Sequence, residues 1–180
     1  MATNETVINQ TKKWITDVII GCNFCPFAAK EMNRNTVHYQ IENGTDETVC
    51  LELFLEECIR LDNDKSIETS FLIFPNAYEV FEDYLDLVDL AESILQKHDY
   101  EGVYQVASFH PDYQFAGTKL EDVENFTNRS IYPMLHLLRE DSITAALEKY
   151  AGSGEIPEKN IDFARQKGIA YMKALRDACL

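Results

Sequence analysis

Residues 104–140 read YQVASFHPDYQFAGTKLEDVENFTNRSIYPMLHLLRE, and the fold turns on how this stretch is divided. Val103, Gln105 and Ala107 alternate with Tyr104, Val106 and Ser108 in a short, mostly apolar run, which predicts a strand over 103–109. His110-Pro111 ends it, because proline lacks a ladder donor and restricts the residue before it. More than twenty residues rich in Asp, Asn, Thr, Tyr and Arg follow, before the apolar run Met134-Leu135-His136-Leu137-Leu138 resumes as a further strand over 134–139. A polar loop of this length, 110–133, between two buried elements is more often functional than idle.

Working outward, the chain alternates strand and helix. An amphipathic helix is predicted over 5–20, with Gly21 as its end, and a short helix over 26–33 with Pro26 at its first turn. Thr36–Ile41 alternates as a strand, and a helix over 46–61 buries Val49, Cys50, Leu53, Phe54, Cys58 and Leu61. Residues 69–74 form a strand apolar on both faces, followed by a helix over 78–97. Helices over 142–150 and from Asn160 onward close the chain, separated by Ala151-Gly152-Ser153-Gly154. The expected fold class is α/β: about four strands in a mixed, mostly parallel sheet with packed helices, an N-terminal helix and a C-terminal helix pair. All of 1–180 is read as a single globular domain. Ligands in such sheets settle outside the carboxyl ends of the strands, where Phe74-Pro75 and Phe109-His110-Pro111 fall.

The formal charge of −15, with 16 Lys and Arg among 31 acids, argues against nucleic acid as a partner, since phosphate neutralisation needs clustered cations. The acids concentrate in 42–68 and 79–92, which helical spacing makes mostly solvated faces; a docking face for a basic protein is the other reading. No apolar run reaches the roughly 18–20 residues of a membrane span, and the N-terminus lacks the order of a secretory signal. Five cysteines, an odd number with no regular framework, place the chain in a reducing cytoplasm.

Cys25, His110 and His136 are the candidate catalytic side chains: a thiol at the start of the 26–33 helix, and two imidazoles bordering the long loop. Arg129 and Arg139, with Asn125, Asn128, Ser130 and Tyr113, are the candidate ligand-binding set, because guanidinium forks match carboxylate or phosphate. Each has a structural counterpart: Cys25 as a small core residue, Arg129 as a salt-bridge partner of Asp112, Glu121 or Asp122, the histidines bonded to backbone. His38 and His98 read as surface residues. Cys22-x-x-Cys25 with His110 and His136 would make a zinc tetrahedron, but the histidines stand 26 residues apart and no metal is assigned. No Gly-rich phosphate loop, Ser nucleophile elbow or HExxH motif is present, so no cofactor is expected.

Three segments in this order, GCNFCPFA at 21–28, FHPDYQFAG at 109–117 and NFTNRSIYPMLHLLRE at 125–140, resemble the domain of unknown function 1415 family. The resemblance implies a small single-domain protein of bacterial type and brings no activity, cofactor or catalytic residue. Of the two cysteines in the first segment the resemblance covers Cys25, since the family has an aliphatic residue where this chain has Cys22, and so it favours Cys25 alone over a Cys22/Cys25 pair. Two functions stand side by side: a small cytosolic enzyme or binder of an anionic metabolite using Cys25 and the 110–140 segment, and a non-catalytic binding or scaffold protein in which these motifs fold the loop. Oligomeric state is open.

Overall fold

The computed structural model describes residues 2–180. Four strands, β1 (Val37–Ile41), β2 (Thr69–Ile73), β3 (Tyr104–Phe109) and β4 (Met134–Arg139), form one sheet in the order β1-β2-β4-β3. Only β1 and β2 are parallel; β4 runs antiparallel to both β2 and β3. The sheet is therefore mixed but not mostly parallel. The reason lies in the 110–133 connection, which carries no crossover α-helix and returns the chain to the edge it left, so Phe109 ends opposite Met134. Insertion of β4 between β2 and β3 makes it an interior strand, and its residues Met134, Leu135 and Leu137 are buried.

Helices cover both faces. On one lie α1 (Asn4–Trp14), α6 (Ile156–Lys167) and α7 (Ile169–Asp177), over a core of Trp14, Val18, Phe71, Ile73, Met134 and Met172. On the other lie α3 (Glu47–Asn63) and α4 (Phe81–Lys97), packed through Phe54, Cys58, Tyr84, Leu87, Leu72 and Leu135. All five residues of β2 are buried, as its continuous apolar run requires of a strand covered on both sides. The Tyr84 hydroxyl clamps α4 to the sheet, donating to the Met134 carbonyl (2.7 Å) and accepting from the Phe109 amide (2.9 Å).

Several boundaries differ from the pattern. After Trp14 the first helix widens into a π-helical turn, Ile15–Ile20, and Gly21 is right-handed (φ −60°) rather than a left-handed terminator. Its amide bonds to the Thr16 carbonyl, and a Cβ there would lie 2.2 Å from the Asp17 oxygen, so close approach is what demands glycine. The next helix, α2 (Ala28–Arg34), starts two residues later than Pro26 predicts. α4 begins at Phe81 because Tyr78 takes φ +58°, and its buried stripe uses Leu87 while Leu85 is 40% exposed. α5 (Glu140–Lys149) follows β4 directly, with Arg139 rather than Ser142 at its cap. Gly168, at φ +79°, divides the last helix into α6 and α7, giving three C-terminal helices instead of two.

Candidate functional site

The 110–133 segment is held as a compact loop by its own polar side chains. Asn125 accepts the Phe115 amide (3.0 Å) and the Thr118 hydroxyl (2.9 Å) on Oδ1, and donates from Nδ2 to the Lys119 carbonyl (2.8 Å). Asn128 donates to the Ser108 carbonyl (3.1 Å) and Ser130 to the Tyr132 carbonyl (2.5 Å). The Tyr113 hydroxyl accepts from Ser108 at 3.4 Å. Arg129 is 6% exposed and donates from Nε to the Tyr113 carbonyl (3.0 Å) and from Nη2 to the Leu120 carbonyl (2.8 Å), with its guanidinium over the Phe126 ring. Backbone carbonyls, rather than Asp112, Glu121 or Asp122, are thus its partners. α6 and α7 reach the loop from outside, through Arg165–Glu124 (2.7 Å) and Arg176 to the Pro111 carbonyl (2.8 Å).

His110 is wholly buried, between Phe81 and Tyr84. Its Nε2–H donates to the Tyr78 carbonyl (2.8 Å) and Nδ1 accepts the Asp112 amide (3.0 Å), so one neutral tautomer satisfies both nitrogens. Burial pushes its pKa down. His136 lies on the opposite face of the sheet, stacked on Phe71 at 3.8 Å, with Nε2 2.6 Å from the Thr69 hydroxyl; that hydroxyl in turn donates to the Leu137 carbonyl (2.6 Å). Burial pushes the His136 imidazole down to about 3. Arg139 donates from Nη2 to the Leu61 (2.6 Å) and Ile67 (3.0 Å) carbonyls. It lies at the end of β4 away from the loop, roughly 16 Å along the strand from Met134.

Cys25 is half-buried against the α1 side of the core. It precedes α2 by a turn: Phe27 is the cap, and the Ala28 amide donates to the Cys25 carbonyl (3.3 Å). The expected thiol at a helix start is therefore displaced, because Pro26 and Phe27 are spent in a turn rather than in the helix. His110, Tyr113, Asn125, Asn128, Arg129 and Ser130 share the one loop, with no hydrogen bond between any two of their side chains, and Cys25, His136 and Arg139 lie in three other places. Among the described residues, no three His, Cys, Asp or Glu side chains form a group able to hold a metal ion.

Two features stand outside these candidates. The first is an open crevice of about 460 Å³ at the carboxyl ends of β1 and β2, between the starts of α3 and α4. Glu47, Asn76, Tyr78, Glu79, Asp83 and Asp86 line it. His110 fixes its floor through the carbonyl of Tyr78, a non-glycine residue at φ +58°, where strain needs such support. The second is a cluster under α3. Glu57, 2% exposed, accepts His38 Nδ1–H (2.8 Å) and the Ser70 hydroxyl (2.5 Å) on Oε2, and Arg60 Nε–H (2.9 Å) on Oε1. His38 is thus paired rather than an ordinary surface residue. The sequence signal was an acid on the apolar stripe of α3, three residues after Phe54 and four before Leu61. Burial pushes the Glu57 carboxyl up, but the bonds from His38, Ser70 and Arg60 outweigh it and hold it below its ordinary value.

These groups set a pH dependence. His110 and His136 have folded pKa values below the unfolded value near 6.5, so unfolding takes up protons as pH falls. Their stabilisation is complete above about pH 6.5 and is lost as pH falls through it toward each folded pKa, at up to about 1.4 kcal/mol per pH unit for His136. Glu57 adds a loss that begins near its unfolded pKa of about 4.3 and runs down through its lower folded value. Chemical denaturation from pH 8 to pH 4 should show stability flat above about 6.5 and falling beneath it. A profile flat down to pH 5 would contradict the buried neutral histidines.

No helix of the described residues is long and apolar enough to cross a membrane. No curated protein and no solved structure matches the chain. With the loop motifs at 109–117 and 125–140 and the 21–28 segment placed in one α/β fold, the chain belongs to the family described as Protein of unknown function (DUF1415), which matches residues 6–174.

Proposed function

We propose that this chain is a non-catalytic binding protein of a reducing, cytoplasmic environment, in which the 110–140 motifs build and brace the fold and the acidic α3–α4 side docks a basic polypeptide. The observation that carries this reading is where the polar donors go. Arg129 and Arg139 give their bonds to the chain's own carbonyls, and both nitrogens of His110 are engaged by backbone. A guanidinium spent in this way has little left for an anionic metabolite.

Charge distribution selects the partner. Residues 42–99 hold 16 of the 31 acids and 3 of the 16 Lys and Arg, leaving 15 acids and 13 Lys and Arg for the rest of the chain. Almost the whole net charge therefore belongs to the segment that forms β1's exit, α3, β2 and α4. Glu47, Glu52, Glu56, Glu82, Asp83, Asp86, Asp89 and Glu92 are all exposed there, with Val49, Val80 and Leu85 interleaved as partly exposed apolar contacts. Such a face attracts Lys- and Arg-bearing segments and speeds their encounter.

Titration calorimetry with an Arg/Lys-rich peptide should detect binding at low salt, weakening about tenfold or more on going to about 0.5 M salt, where the Debye length shrinks to a few ångströms. The Asp83→Asn, Asp86→Asn double variant should bind more weakly with an unchanged melting temperature, since both side chains are exposed. An anionic peptide binding as well as the basic one would sink the reading.

A further inference from the structure

We propose that His38 is a nucleophilic imidazole that accepts an electrophilic phosphoryl group on Nε2, with Glu57 orienting the ring and Arg60 receiving the phosphoryl oxygens. The cluster has the three parts such a step needs. His38 Nδ1 sits 2.8 Å from Glu57 Oε2, and a carboxylate there fixes the tautomer that carries its proton on Nδ1 and its lone pair on Nε2. The His38 side chain is 27% exposed while Glu57 is 2% exposed, so the anchored nitrogen faces inward and the ring keeps an accessible part. Among the described residues Nε2 has no hydrogen-bond partner; both contacts of the ring are through Nδ1.

Arg60 is held by the other oxygen of the same carboxylate, through Nε at 2.9 Å, and its side chain is 41% exposed. Its two terminal nitrogens have no partner among the described residues, which leaves a fork of the shape that phosphoryl oxygens take. Ser70, 1% exposed, contributes the third donor and holds Oε2 in place at 2.5 Å. One buried carboxylate thus anchors both the imidazole and the guanidinium. The hydrogen bonds that keep Glu57 ionised support the same arrangement.

The step balances with a small phosphoryl donor such as phosphoramidate. The Nε2 lone pair forms the new P–N bond while the P–N bond of the donor, already protonated on nitrogen, breaks, its electron pair leaving on ammonia. The ring becomes cationic for as long as it keeps the Nδ1 proton, and the Glu57 carboxylate lies against that proton to stabilise the charge. Neither His110 nor His136 offers an equivalent: the first has both nitrogens bonded to backbone and the second is stacked within the sheet. His98, exposed at the end of α4, is the reference for an unassisted imidazole.

Native protein treated with phosphoramidate and followed by peptide mass spectrometry under alkaline conditions should acquire acid-labile phosphate at His38 about tenfold faster than at His98. The preference should vanish in urea, where the cluster is gone. Glu57→Gln should bring His38 to within about twofold of His98. Because that variant alters a buried group, Arg60→Gln is the second: it leaves His38 and Ser70 on the carboxylate and should slow labelling of His38 without changing His98. Equal or faster labelling of His98 in the native wild type, or a His38 preference that persists in urea, overturns the proposal. An unchanged His38 rate in Arg60→Gln overturns the role given to Arg60.

Discussion

Arg129→Ala destabilises the protein by about 1–3 kcal/mol, because the carbonyls of Tyr113 and Leu120 each lose a charged donor that is itself only 6% exposed. Leaving a buried acceptor unmet costs about 1–3 kcal/mol; the carbonyl of half-buried Tyr113 carries most of that loss, since Leu120 is 55% exposed and water can replace its donor. Phe126 also loses the nearer of its two guanidinium neighbours, Arg129 at 4.8 Å, and keeps Arg176 at 5.4 Å. Arg129→Lys retains the charge but not the planar spacing of Nε and Nη2, so it recovers at most one of the bonds and falls between wild type and alanine. Urea denaturation of the three proteins measures this directly. Near-equal stabilities would mean that the arginine is not what closes the loop and would reopen its role as an anion holder.

His110→Ala is the second large effect, expected at about 2–4 kcal/mol. It empties a fully buried site between Phe81 and Tyr84 and frees two backbone groups, the Tyr78 carbonyl and the Asp112 amide. The spatial signature is more specific than the magnitude. Hydrogen exchange should accelerate at Asp112, whose amide the ring accepts, and around the left-handed turn at Tyr78, thirty-two residues away in sequence but joined through the same imidazole. Because Tyr78 floors the acidic crevice, binding of the basic peptide should weaken in the same variant. Acceleration confined to residues 110–113 would show that the ring does not hold the second turn.

Much of the architecture was legible from local pattern. β4 was predicted at the boundaries it has, β2 as buried on both faces, and α3 to within two residues of its ends, where Asp46 caps it by accepting the Thr48 amide at 2.9 Å. These depend on neighbours in sequence: alternation, helical spacing, and a side chain bonding an amide two residues on. The loop was legible too, as a polar interval between apolar runs, and Asn125, Asn128, Arg129 and Ser130 hold it by bonds to its own and neighbouring backbone.

Strand order and direction were not available in that way. Whether β4 joins an edge or enters between β2 and β3 depends on pairings such as Leu72 with Leu135 and Val106 with Leu137, which no local period encodes. The same holds for the destinations of the polar side chains. Arg129, Arg139 and His110 bond chiefly to main-chain groups of Tyr113, Leu120, Leu61, Ile67, Tyr78 and Asp112, and a backbone group has the same chemistry whatever its residue name. By itself the sequence determined an α/β chain with an acidic middle and a polar loop before its last strand. Helical spacing sets Arg60 beside Glu57 on α3, but tertiary packing alone decided that Glu57 would be buried against the sheet and would gather His38 from β1 and Ser70 from β2, because a buried carboxylate must find its donors wherever the fold brings them.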